Sequence, residues 1–129
     1  VGVVVVRDGR VLLVRRGRPP RLGEWGIPGG AQRLGETVLE TAAREVREET
    51  GIEIRDARVL TAVDSITRDA AGRVEYHYTL VEVVAGWDGG EPVAADDAMD
   101  ARWATFEEAE ALLRWGETLR ILRLALGRG

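Results

Sequence analysis

The sequence has 129 residues, of which 45% are hydrophobic and 31% charged, a balance that supports one compact core and carries no disorder signature. A formal net charge of -4, with every basic residue an arginine, excludes the dense basic face of a nucleic-acid backbone binder; the arginine bias reads as genomic base composition. Cysteine is absent, which excludes disulfides and thiolate metal sites, so any metal must be held by oxygen or by the single histidine, His77.

In chain order, "VGVVVVRDGRVLLVRR" is two β-branched runs joined through Asp8-Gly9, a dipeptide that tolerates positive φ, and predicts a hairpin with strands near 2 to 7 and 10 to 16. Neither apolar run, Val3 to Val6 or Val11 to Val14, is long enough to cross a bilayer, and no signal-peptide pattern is visible. A cytoplasmic protein without a membrane partner is the expectation. The sequence begins at Val1 and not at a methionine, so what preceded it is not read. "RGRPPRLGEWGIPGG" is punctuated by proline and glycine and predicts a loop, with a short strand near Ile27.

Thr37 can cap a helix from Val38, and Glu40 three residues on completes a capping box; Gly51 fits the residue that ends such a helix. Two apolar or alternating runs, about 57 to 66 and 73 to 84, flank the turn "RDAAGR" and predict a second hairpin. "DGGEPVAADDAMD" reads as a polar loop and "ARWAT" as a short strand. Thr105 with Glu108 opens another capped helix. Gly116 separates it from a last helix with Leu119, Leu122 and Leu126 on one face. No repeat or interdomain linker interrupts this order, so residues 1–129 are expected to form a single α/β domain with a mixed β-sheet between helices.

The helix from Val38 carries an unusual charge pattern. At about 100° per residue, Glu48 and Glu49 lie roughly 60° behind and 40° ahead of Glu45, so all three share one arc. Leu39, Ala43 and Val46 occupy the neighbouring arc and are expected to face the core. Like charges at this spacing destabilise a helix, by about 0.2 to 0.5 kcal/mol per pair in water, and glutamates late in a helix oppose its dipole. A solvated face compensated by Arg44 and Arg47 is the ordinary reading. Three hard oxygen donors on one arc are also what Mg2+ or Mn2+ requires, and such an ion removes the repulsion.

The segment from Gly30 to Ile52 resembles the signature of the Nudix hydrolase family: Gly, five residues, Glu, seven residues, then Arg-Glu-aliphatic-x-Glu-Glu-x-Gly-aliphatic. Gly30, Glu36, Arg44, Glu45, Val46, Glu48, Glu49, Gly51 and Ile52 fill it, and the order of strands and helices around it is similar to the family's α/β/α sandwich. The resemblance implies a divalent-metal-dependent enzyme that hydrolyses the pyrophosphate of a nucleoside diphosphate linked to another group. Carried over by position, it makes Glu45 and Glu49 principal metal ligands, Glu48 a further ligand or base, Arg44 an orienter of a glutamate, and the Gly29 carbonyl part of the metal shell. Gly29 and Gly30 allow close backbone approach, which a plain tight turn would equally explain. Glu36 either assists the metal through water or braces the loop.

Family members differ in the residue that activates water, and a frequent choice lies in the loop before a late strand. Asp97 is the first candidate there and Asp96 the second, ahead of Glu91 and Asp100, against the reading of a solvated aspartate-rich turn. Arg15 or Arg16, but not both, can grip the distal phosphate, because strand neighbours face opposite sides. Trp25 either stacks on a base or covers the core. His77, between two tyrosines in an apolar strand, reads as structural. "EWGIPGG" and "GRVEYHYTLVEVVA" look similar to ADP-ribose pyrophosphatases, which favours ADP-ribose-like substrates. The alternatives are a (deoxy)nucleoside triphosphate sanitising pyrophosphatase and a catalytically silent nucleotide-binding regulatory module. A small nucleotide is the expected partner, no nucleic-acid polymer is, and a homodimer is left open.

Overall fold

The computed structural model describes residues 1–19 and 21–128. Strands β1 (Gly2–Arg7) and β2 (Arg10–Arg16) form the expected hairpin, with Asp8 at φ 49 and Gly9 at φ 76 in the turn. The short third strand, β3, is Trp25–Gly26, just before the position expected near Ile27. Helix α1 spans Val38–Thr50, and the second hairpin is β4 (Glu53–Arg68) and β5 (Val74–Gly89). Strand β6 (Ala98–Ala104) precedes α2 (Phe106–Leu112) and α3 (Gly116–Ala125).

The sheet order is β3-β2-β1-β5-β4, with β6 paired to β2. The β1–β5 pair is parallel and places Gly2 opposite Glu82; the other pairs are antiparallel. Alternation along the strands sends their apolar residues to two layers. Val4, Leu13 and Val84 pack under α2 and α3 with Phe106, Ile121 and Leu122. Val3, Val5, Leu12 and Val83 pack under α1 with Ala42 and Val46. The expected mixed sheet between helical layers is therefore present.

Four expectations shift. Strands β4 and β5 start or run beyond the expected 57 to 66 and 73 to 84, because register irregularities near Arg55, Arg58 and Val59, with Asp56 at φ 53, let an interrupted pattern continue pairing. Strand β6 starts inside the stretch read as polar loop, since Ala98 and Asp100 pair with Arg16 and Arg15. Gly116 is the first residue of α3, not a spacer ahead of it. In α1, Leu39 is 38% exposed and Ala43 only half-buried, while Thr41, Ala42, Val46, Glu49 and Thr50 are buried. The buried stripe thus follows the contact with β1 and β5, and its polar members are satisfied locally: Thr41 Oγ1 donates to the Thr37 carbonyl at 3.1 Å and Thr50 Oγ1 to the Val46 carbonyl at 2.7 Å.

Candidate functional site

Both ends of α1 are fixed by the chemistry read from its sequence. Thr37 Oγ1 accepts from the Glu40 N–H at 3.1 Å and Glu40 Oε1 accepts from the Thr37 N–H at 2.9 Å, so two orphan donors of the first turn are satisfied. Gly51 takes φ 74 and donates to the Arg47 carbonyl. The last turn of the helix is then stitched to the polar loop: the Ala95 N–H donates to the Glu49 carbonyl and the Val93 N–H to that of Thr50, each at 2.9 Å. These bonds bring the aspartates of that loop towards the acidic arc.

Arg44 organises the arc. Its Nε and Nη2 form a fork on Glu36, at 2.6 Å to Oε2 and 2.9 Å to Oε1, while Nη1 donates to Glu45 Oε1 at 2.7 Å and Glu48 Oε2 at 3.2 Å. Nη2 also donates to the Ala31 carbonyl at 3.0 Å, tying the glycine loop to the helix. Expected to orient one glutamate, this guanidinium engages three. Glu36 accepts in addition from the Arg33 N–H at 2.9 Å and Thr41 Oγ1 at 3.0 Å. The Arg44 guanidinium first, and then these donors, hold the Glu36 carboxyl down to about 2. These contacts tie the glycine loop to α1 through Glu36.

Glu49 is 8% exposed, and its Oε2 accepts from the Gly29 N–H at 3.2 Å. Burial pushes its carboxyl up to about 8; the charges of Glu45 and Asp97 add to that shift, and the Gly29 N–H and Arg16 oppose it. The glycines are explained by approach and not by turn geometry, since neither Gly29 nor Gly30 has a positive φ. A Cβ at Gly30 would overlap the Glu45 carboxylate, and one at Gly29 would overlap the Val1 carbonyl.

Asp97 lines a cavity of about 180 Å³ with Arg16, Gly29, Gly30 and Glu49, and its Oδ1 lies 2.8 Å from Arg18 Nε. The other acidic candidates lie off that cavity. Asp96 is exposed at φ 55, Asp100 accepts from the Ala101 N–H, and Glu91 pairs with Arg7 at 2.9 Å. Of the two arginines, Arg16 lines this cavity and a larger one of about 480 Å³, whereas Arg15 donates to the Gly23 carbonyl at 2.7 Å. Trp25 both packs against the α2–α3 core layer and lines the larger cavity. His77 is exposed on the second hairpin, 3.6 Å from Asp64.

Several residues of the site were not singled out in the sequence. Ala31 acts through its carbonyl, and Arg18 is one arginine in an arginine-rich loop, so neither has a sequence signal. Arg21 lies over the Trp115 ring at 4.2 Å and reaches Ser65 at 3.3 Å, closing one side of the larger cavity by contacts between distant segments. Glu82 did have a signal, a carboxylate inside the apolar run "TLVEVVA".

Among the described residues no group of three or more metal-binding side chains converges into a preformed cation cage. Arg44 draws Glu45 and Glu48 to itself and Gly29 draws Glu49, so the three are neighbours without sharing one point. The donor set nevertheless fits a hard divalent cation. All donors are oxygens, and Glu49 is buried beside two further negative charges whose repulsion a cation would relieve.

The NUDIX domain family model matches residues 1–124. The chain is 35% identical over 100 residues to an ADP-ribose pyrophosphatase of Methanocaldococcus jannaschii, covering 78% of this chain and 57% of that protein. It is 36% identical over 121 residues to the CMP-5'-(N-acetyl-N-hydroxy-3-aminopropyl)phosphonate hydrolase of Streptomyces rubellomurinus, covering 91% of this chain and 56% of that one. The chain therefore spans a little over half the length of these curated relatives. Among solved structures, a MutT NUDIX hydrolase from Burkholderia pseudomallei superposes with a TM-score of 0.76 at 32% identity, covering 98% of this chain and 93% of the other. The family match runs through both hairpins, α1 and both terminal helices, and on that ground the chain belongs to the NUDIX family.

Proposed function

We propose that this chain hydrolyses the pyrophosphate bond of a nucleoside diphosphate linked to another group, with ADP-ribose-like substrates favoured and Mg2+ or Mn2+ as cofactor. The observation that carries the reading is the arc itself: Glu45 packed on Gly30, Glu49 buried against the Gly29 N–H, and Arg44 bracing Glu45 and Glu48, where Gly29 and Gly30 in turn line a cavity large enough for a nucleoside. Glu45, Glu48, Glu49 and the Gly29 carbonyl would hold the ion, which when bound supplies charge neutralisation for phosphoryl transfer. Asp97 would take a proton from water, Arg16 would grip a phosphate, and Trp25 would stack on a ring. The ADP-ribose preference is supported by the M. jannaschii relative.

The test is a substrate screen of purified protein with Mg2+ and with Mn2+ against ADP-ribose, nucleoside triphosphates and dinucleoside polyphosphates. The expected result is AMP and ribose 5-phosphate from ADP-ribose, abolished by a chelator. Faster turnover of nucleoside triphosphates would move the substrate to the sanitising class. Binding without turnover of any of them would return the regulatory-module reading.

A further inference from the structure

The smaller cavity, of about 180 Å³, is below the size of a nucleoside pocket and has room for a phosphate group. Its charged lining is balanced, with the carboxylates of Glu49 and Asp97 against the guanidinium groups of Arg16 and Arg18. Arg18 lines only this cavity, whereas Arg16 lines both. Backbone contacts fix the root of Arg18 beside Asp97. Past the irregularity between Arg15 and Arg16, Arg16 pairs with Ala98, and the Gly17 N–H donates to the Asp97 carbonyl at 2.8 Å. A Cβ at Gly17 would stand 2.8 Å from that same carbonyl oxygen, so the approach requires glycine. The Arg18 side chain, by contrast, is held on Asp97 by an exposed ion pair, Nε 2.8 Å from Oδ1, with the two side chains 71% and 46% exposed. A pair so solvated contributes little to stability. A phosphate offers the guanidinium two oxygens in the geometry of its fork, and so competes for it on favourable terms.

Resting on the proposed reading of a pyrophosphate substrate, we propose that Arg18 is a second phosphate-gripping residue that exchanges partners: without ligand it is parked on Asp97, and a phosphate entering the smaller cavity takes it over. A pyrophosphate has two phosphate groups, and Arg16 accounts for a grip on one of them. Arg18 supplies the other. Because Gly17 stays tied to the Asp97 backbone, the guanidinium remains within a side chain's reach of the same cavity after it lets go of the carboxylate. The exchange also couples two events. Asp97 loses its guanidinium partner when a phosphate is in place, which is when a carboxylate there has water to take a proton from.

The experiment measures calorimetric affinity for methylenediphosphonate with Mg2+, a pyrophosphate mimic whose carbon bridge is not hydrolysed. It compares the unaltered protein with Arg18→Ala, Asp97→Asn, the double variant and Arg120→Ala. Arg120 is an exposed arginine paired with Glu117 on α3, so its loss changes the net charge as the loss of Arg18 does. Arg18→Ala is expected to weaken binding at least about tenfold, and Arg120→Ala to leave it unchanged. Asp97→Asn is expected to tighten binding about two- to fivefold while Arg18 is present, because the guanidinium no longer has to leave a partner, and to have no effect in the Arg18→Ala protein. No binding by the unaltered protein, an unchanged affinity in Arg18→Ala, or equal losses in Arg18→Ala and Arg120→Ala overturns the assignment. Tightening of the same size with and without Arg18 would be plain repulsion between Asp97 and the anion, and overturns the exchange. The probe is not cleaved, so its affinities read out whatever the hydrolysis screen returns. Turnover of ADP-ribose with kcat/KM unaltered in Arg18→Ala would sink this inference alone, and the expected affinities without turnover of any diphosphate would sink the hydrolase reading alone.

Discussion

Glu49 makes the clearest statement at the scale of a residue. Its folded carboxyl sits at about 8 against an ordinary value of 4.5, so between those values the folded chain holds a proton that the unfolded chain has released. Stability contributed by the neutral acid is fully present below about 4.5 and is lost as pH rises towards 8. Glu82, also raised by burial, acts with the same sign. Metal-free protein in chelating buffer should therefore melt at a lower temperature at pH 8 than at pH 6, by on the order of 1 kcal/mol of stability per pH unit. Glu49→Gln should flatten that dependence and lower kcat at least about a hundredfold. An unaltered pH slope in Glu49→Gln would remove Glu49 as its source. Asp97 is argued from position: it alone of the candidate aspartates lines the small cavity with Glu49. Asp97→Asn should slow the chemical step more than Asp96→Asn or Asp100→Asn, and equal small effects in single-turnover kinetics would place the base elsewhere. The spacing of the glutamates was legible because helix geometry turns spacing into an arc. Asp97 was ranked first by resemblance alone, since what brings its loop to the arc is the pair of backbone bonds from Val93 and Ala95 to the end of α1, which carry no sequence signal.

Elements were most legible where local chemistry decides them. Both capping boxes, the Asp8-Gly9 turn and the Gly51 terminus formed as read, since each depends on residues within a few positions of one another. The buried face of α1 was misread because hydrophobicity picked Leu39 and Ala43, whereas the sheet accepts Thr41 and Thr50, whose hydroxyls bond back to their own helix. The glycine loop gives a test at this scale. A Cβ at Gly30 meets the movable end of Glu45, and a Cβ at Gly29 meets the backbone of Val1 and Gly2. Gly30→Ala should therefore fold with a melting temperature within a few degrees of the unaltered protein while losing at least about tenfold in kcat, as Glu45 turns aside. Gly29→Ala should lose stability as well as activity. Thermal melts beside initial rates decide it, and a Gly30→Ala enzyme at full rate would show that the position of Glu45 is not critical.

Over the whole molecule, a net charge of -4 and an acidic arc packed on Gly29 and Gly30, which line both cavities, would repel a bare pyrophosphate, so substrate has to arrive with cations and in one orientation. The fold supplies an asymmetry that can set it. Arg16, Gly29 and Gly30 line both cavities, whereas Trp115 and Ile121 line only the larger one. With the adenine end against Trp115 and Ile121, the adenosine-side phosphorus would be the one held next to the glycine loop, where Asp97 lines the small cavity with Gly29 and Gly30. In-line displacement places the water oxygen on the phosphorus attacked and on no other. Hydrolysis of ADP-ribose in water enriched in heavy oxygen should therefore put the label in AMP and leave ribose 5-phosphate unlabelled. Mass spectrometry of both products reads the outcome directly. Label confined to ribose 5-phosphate would reverse the orientation of substrate in the cavity, and release of inorganic phosphate or adenosine would show that the bond between the two phosphorus atoms is not the one broken.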